Sequence, residues 1–76
     1  MSIYEKPHED VLWTLRRIYP TGTRVKLIHM KDVQAPPVGT LGTVLGVDDM
    51  GDLIMKWDNG SGLNVIFGED IVIKVD

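Results

Sequence analysis

The side chains able to do chemistry in this sequence are His8 and His29, Ser61, the adjacent carboxylates Glu69 and Asp70, and the aspartates Asp48, Asp49 and Asp52. A serine nucleophile needs a histidine base and an orienting acid, and Ser61 stands among Asn59, Gly60 and Gly62 with no such partner near it in sequence. Glu69 and Asp70 could divide acid and base roles. Neighbours on an extended chain point to opposite sides, however, and Gly68 before them marks a structural turn. Asp48, Asp49 and Asp52 offer the oxygens a hard cation prefers but lack the ligand spacing of an EF-hand, so a solvated turn is the expectation. His8 and His29 are separated by a predicted helix and have no cysteine or histidine companions, which leaves zinc without a ligand set. His8 is expected at the helix start and His29 at a strand end. Gly39, Gly42 and Gly46 fall along a strand with no helix after them, so they form no phosphate cradle. The residues therefore read as those of a non-enzymatic chain with no cofactor and no metal.

Binding chemistry rests on two tryptophans and their neighbours. Trp57 has two readings: its strand parity with Leu53 and Met55 favours the core, and the alternative is an aromatic platform for a peptide. Trp13 is different. Between Pro7 and Pro20 the spacing predicts a helix over residues 8 to 19. Pro7 suits its first turn, Glu9 and Asp10 lie near its positive end, and Arg16 and Arg17 near its negative end. Val11, Leu12, Leu15, Ile18 and Tyr19 gather within an arc of about 120°, the width of a core-facing stripe. Trp13 falls outside that stripe among Glu9, Arg16 and Arg17, and tryptophan flanked by arginine is a favoured interface composition. The candidate binding residues are Trp13, Arg16, Arg17 and the loop residues Asp58 and Asn59.

The elements that must position these residues centre on Gly39 to Gly62. Thr40 to Val47 reads as a strand ending in the turn formers Asp48 to Asp52, with Gly51 able to take a left-handed conformation. Leu53, Met55 and Trp57 alternate with Ile54, Lys56 and Asp58 in a second strand, and Asn59-Gly60 predicts a type I′ hairpin turn. Before this hairpin, Arg24 to Met30 reads as a first strand with Val25 and Leu27 inward. Ala35-Pro36-Pro37 marks a stiff loop at a sheet edge. After it come Leu63 to Phe67 as a fourth strand, a turn at Gly68-Glu69-Asp70, and a fifth strand, Ile71 to Val75, with Ile71, Ile73 and Val75 alternating against Val72 and Lys74. The expected fold is all-β: a small five-stranded SH3-like barrel over residues 21 to 76, preceded by an arm and one amphipathic helix over residues 1 to 20, together one compact domain.

Composition narrows the class. A chain of 76 residues makes one domain and buries about 60% of the surface it exposes when unfolded. The absence of cysteine excludes disulfides and thiolate sites and makes the cytoplasm the expected location. The apolar runs are far shorter than the ~20 residues of a membrane span, so no membrane association is expected. Eleven acidic against eight basic residues give a net charge of -3, the wrong sign for a phosphate backbone as partner.

The run from Gly22 to Val75 resembles a bacterial and phage-associated family, the domain of unknown function 4314. The features that carry the resemblance are Arg24-Val25, Ala35-Pro36-Pro37, Gly39-Thr40 with Gly42-Thr43-Val44, Val47-Asp48, Lys56-Trp57-Asp58-Asn59-Gly60-Ser61 and Gly68-Glu69-Asp70. The resemblance leaves the helix outside. It implies a fold and a phage or mobile-element origin, and carries over no catalytic residues. Gly42-Thr43-Val44 followed by Trp57 to Ser61 is also similar to the peptide-binding SH3-like repeats of mind-bomb-type ubiquitin ligases. The glycine-rich strand is similar to the KOW motif of proteins that bind RNA or protein. The functional expectation is a module for protein-protein interaction with a protein or peptide partner, or with a second copy through the helix. The alternative is a KOW-like domain contacting RNA or DNA through Arg24, Lys26, Lys31 and the helix arginines.

Overall fold

The computed structural model describes residues 6–75, so the expected arm before Lys6 lies almost wholly outside the described residues. The elements are one helix and four strands: α1 (Glu9–Ile18), β1 (Arg24–His29), β2 (Leu41–Val47), β3 (Leu53–Trp57) and β4 (Ile71–Lys74). The strands form one open antiparallel sheet in the order β3-β2-β1-β4. None of the helices is long and apolar enough to cross a membrane among the described residues.

The helix is one residue shorter at each end than the expected range of residues 8 to 19. His8 is the cap, with its Nδ1 accepting from the Asp10 N–H at 3.1 Å, and Pro7 precedes the helix instead of joining its first turn. At the other end Tyr19 leaves the helical conformation ahead of Pro20, whose ring has no N–H to continue the ladder. Only part of the apolar stripe is covered. Leu12 is buried and Leu15 and Tyr19 are half-buried, while Val11 and Ile18 at its margin remain exposed.

The sheet curves around a core of Val25, Leu27, Val44, Leu53, Met55, Trp57 and Val65, with Tyr19, Met30, Val47 and Val72 packed against it. Alternation accounts for most of this set. β3 buries Leu53, Met55 and Trp57 and exposes Ile54 and Lys56, as its period of two requires. Trp57 is the largest fully buried side chain, and its indole N–H donates to the Leu63 carbonyl at 2.8 Å, so burial leaves no orphaned donor. The ring lies flat on Gly42, directly across the strand pair, where a side chain would collide with it.

Three expectations are corrected, and one that the alternation left open is resolved. First, the sheet has four strands and is open, not a closed five-stranded barrel. Leu63 to Phe67 makes a single bridge, Val65 to Leu53, because carboxylates take the two donors that follow it: Asp70 accepts from the Ile66 N–H and Asp52 from the Phe67 N–H, each at 2.8 Å. Second, Asn59-Gly60 is not a type I′ turn. Gly60 has φ +92°, but among the described residues none other than glycine has positive φ, Asn59 included. The Gly60 N–H donates to the Trp57 carbonyl and the Trp57 N–H to that of Ser61, both at 3.0 Å. This is the pattern of a three-residue loop with a bulge glycine. Third, in β4, whose inward face the alternation left open, it is Val72 that faces the core, opposite Leu27, while Ile71 and Ile73 are exposed. A bulge at Ile28 shifts the register of β1 against β4 at this point. Fourth, the helix stripe is narrower than its five residues suggest, since the sheet meets only Leu12, Leu15 and Tyr19.

Candidate interaction surface

The helix docks by one face and by one clamp. Beneath Leu15 lies the β2-β3 turn, where buried Gly51 (φ +82°) sits so close to Leu15, Pro7 and Phe67 that an added side-chain carbon would fall 3.2 to 3.3 Å from each. Asp48 organises that turn: its Oδ1 accepts from the N–H groups of Met50 and Asp52 at 2.9 and 3.0 Å. Arg16 reaches across, with Nη2 donating to the Val47 carbonyl at 3.2 Å and to Asp49 Oδ1 at 3.4 Å. Arg16 therefore fastens the helix to the sheet.

Trp13 lies on the opposite side of the helix and is 61% exposed. The Arg17 guanidinium stands over its ring, 4.8 Å from the centroid, one turn along the same face. The pairing holds the indole in one orientation and leaves one ring face and the guanidinium edge to solvent. Trp13 and Arg17 are thus brought together on one surface, and Arg16 reaches the other way, to the β2-β3 turn.

Asp58 and Asn59 belong to the loop at the far end of β3, roughly 17 Å along that strand from the turn that Arg16 grips. Asp58 forms a two-pronged pair with Arg24, Nη1 to Oδ1 at 2.8 Å and Nη2 to Oδ2 at 2.6 Å, and Arg24 Nη1 also donates to Thr43 Oγ1 at 2.9 Å. The hydrogen bonds from Arg24 hold the Asp58 carboxyl below its ordinary value, and those same bonds raise Arg24 above its own. Asn59 Oδ1 accepts from the Ser61 N–H at 3.0 Å, and Ser61 Oγ accepts from the Leu63 N–H at 3.3 Å. Asp58 is thus tied to β1, and Asn59 is engaged within its own loop.

The residues weighed for catalysis are likewise occupied by backbone. Asp48, Asp52 and Asp70 each accept from main-chain N–H groups, His8 caps the helix, and His29 is exposed at the end of β1. Among the described residues no three histidine, aspartate or glutamate side chains converge on a point where a cation could sit. An apolar cavity of about 190 Å³ opens between α1 and β4, lined by Leu15, Tyr19, Val65, Phe67, Ile71 and Val72. A wider groove of about 580 Å³ runs between the loop after β1 and the segment from Gly62 to Asp70. Sequence reasoning missed the Arg24–Asp58 pair, whose partners are 34 residues apart and carry no local signal. It also missed the cavity, whose walls come from four separate segments.

A family model for a domain of unknown function (DUF4314) matches residues 8–75, and the chain belongs to that family. The match takes in α1, which corrects the expectation that the helix lies outside the family's domain. No curated protein and no solved structure matches the chain.

Proposed function

We propose that this protein is a non-enzymatic protein-interaction module that engages a protein or peptide partner through Trp13 and Arg17. The observation that carries the reading is the exposed indole, stacked under a guanidinium on the helix face turned away from the sheet. Trp and Arg are the side chains most enriched at binding hot spots, and a pre-oriented pair loses less freedom when a partner covers it. In fold terms the module is an SH3-like barrel of open form. The pairing of β1 with both β2 and the last strand supports that reading, and the family resemblance supports a bacterial or phage origin.

Affinity capture from a bacterial lysate tests the reading, with the parent and Trp13→Ala as baits and a thermal melt on each. The parent is expected to retain a protein that the variant loses by about 2 kcal/mol or more of binding free energy, at nearly unchanged melting temperature. Equal retention by both baits, or a large drop in melting temperature, would overturn it.

The KOW-like alternative draws on one feature. Arg24, Lys26 and Lys56 share the outer face of the sheet, as the registers Arg24 to Thr43 and Thr43 to Lys56 require. Arg24 is already paired with Asp58, which leaves two lysines on a chain of net charge -3. Protein interaction is therefore the preferred reading.

A further inference from the structure

We propose that the outer edge of β4 pairs with the same edge of a second copy of this chain, antiparallel and about a two-fold axis at Val72, joining two four-stranded sheets into one of eight. The strand order leaves β3 and β4 at the two edges of the sheet. The β3 edge is engaged by Val65, which exchanges both backbone hydrogen bonds with Leu53 at 2.9 and 3.0 Å. Among the described residues nothing pairs with the outer edge of β4.

The phase of the β1-β4 ladder fixes which groups that edge presents. The Val75 N–H donates to the Arg24 carbonyl at 3.0 Å, and the register runs Val25 to Lys74, Lys26 to Ile73 and Leu27 to Val72. Hydrogen-bonded and non-bonded pairs alternate in an antiparallel ladder, so Ile73 and Val75 turn their backbone groups to β1. Val72 and Lys74 turn theirs outward. A second β4 can meet these donors and acceptors only if even-numbered residues face even-numbered ones.

The side chains then select one register. With Val72 opposite its own copy, Asp70 faces Lys74 of the second copy at each end of the ladder, and Ile71 faces Ile73. The segment Asp70-Ile71-Val72-Ile73-Lys74 is therefore complementary to itself when reversed. A slip in either direction that keeps the hydrogen bonds in phase separates both charge pairs. Asp70 Oδ2 accepts from the Ile66 N–H, and its other oxygen has no donor among the described residues, so it is available to an ammonium group. Ile71 and Ile73 are 52% and 47% exposed, a large apolar area for an edge strand to leave in water. Lys74, the charge that would otherwise guard the edge, is exposed and has no ion-pair partner among the described residues, and the dimer supplies one. Trp13 takes no part in this contact.

Sedimentation of the full chain from micromolar to millimolar concentration tests the proposal, and a concentration-dependent dimer is expected. Lys74→Glu sets like charges opposite each other at both ends and should weaken the dimer about tenfold or more without lowering the melting temperature. Asp70→Asn added to Lys74→Glu keeps the acceptor for Ile66, removes the repulsion and should restore part of the association. Because the chain has no cysteine, Ile71→Cys and Ile73→Cys report the register directly. A mixture of the two should cross-link on oxidation, while neither alone should. The proposal is overturned by a monomer at every concentration, by a dimer indifferent to Lys74→Glu, or by cross-linking of Ile73→Cys with itself. A dimer lost with Trp13→Ala but not with Lys74→Glu would overturn it while leaving the helix surface standing.

Discussion

Replacing Gly42 with alanine tests the packing logic at its tightest point. A Cβ on Gly42 would lie 2.5 Å from Trp57 Cε3, 2.9 Å from Met55 Cε and 3.0 Å from Trp57 Cδ2. The Met55 methyl is the end of a flexible chain and can swing aside. The indole cannot, because it is fully buried and tied at Nε1 to the Leu63 carbonyl. Overpacking of this kind costs about 1 to 3 kcal/mol, and straining a buried hydrogen bond adds about 1. A loss of about 3 kcal/mol is a large share of the ~4 to 11 expected for a domain of this size, and corresponds to a fall in melting temperature of roughly 15 °C. Melts followed by tryptophan fluorescence in a Trp13→Phe background would let Trp57 alone report. Gly46→Ala supplies the control, since it lies in the same strand and a Cβ there meets nothing within 4 Å. A Gly42→Ala protein that melts within a few degrees of Gly46→Ala would refute the argument that Trp57 is seated against bare backbone.

Gly60→Val should cost about 1 to 2 kcal/mol through backbone strain alone, because Gly60 has φ +92° and open space around the missing Cβ; a melt matching the parent would exclude that conformation. For Asp58, whose folded-state pKa is depressed by Arg24, the sign follows directly. The stabilisation is fully present above the ordinary aspartate range, near 3.8, and is lost as pH falls through the lower folded value. Asp58→Asn should therefore melt below the parent at pH 7 and converge with it in strong acid, and a gap that persists in acid would contradict the pairing. Mixed RNA or single-stranded DNA should bind no tighter than ~100 μM at physiological salt, read by fluorescence anisotropy, and a micromolar constant would favour the KOW-like alternative.

The central hairpin was legible because two signals agree there: period-two alternation in Leu53 to Trp57, and turn formers at both ends of that strand. The exposure of Trp13 was legible for the same reason, since helical periodicity leaves it no place on the docking face. Leu63 to Phe67 was misread because its residue types suit a strand, while its outcome depends on Asp52 and Asp70, which take its donors from 15 and 4 residues away. No local pattern announces such a capture. The hairpin loop was misread because Asn59-Gly60 also suits a three-residue loop, in which Asp58 is the first loop residue and only Gly60 takes positive φ. In β4 both faces are apolar, so alternation alone could not say whether Val72 or its isoleucine neighbours meet Leu27.

That α1 falls within the family's domain changes what its exposed tryptophan means. An appended helix can carry an apolar residue as part of its own attachment. Here the attachment is complete without it: Leu12 is buried, Leu15 and Tyr19 rest on the sheet, and Arg16 bonds the Val47 carbonyl. Trp13 contributes to none of these contacts, so deleting its ring should leave the fold intact. An indole that is 61% exposed leaves about 120 Å² of apolar surface in water, worth about 3 kcal/mol to a partner that covers it. Arg17 shields part of one ring face, which lowers that figure, but it also fixes the ring and offers donors to an acidic group on the partner. A hot spot costs 2 kcal/mol or more when truncated, so this one side chain has the capacity to act as one. The partner that fits it best would present an apolar cleft for the indole beside a carboxylate for Arg17.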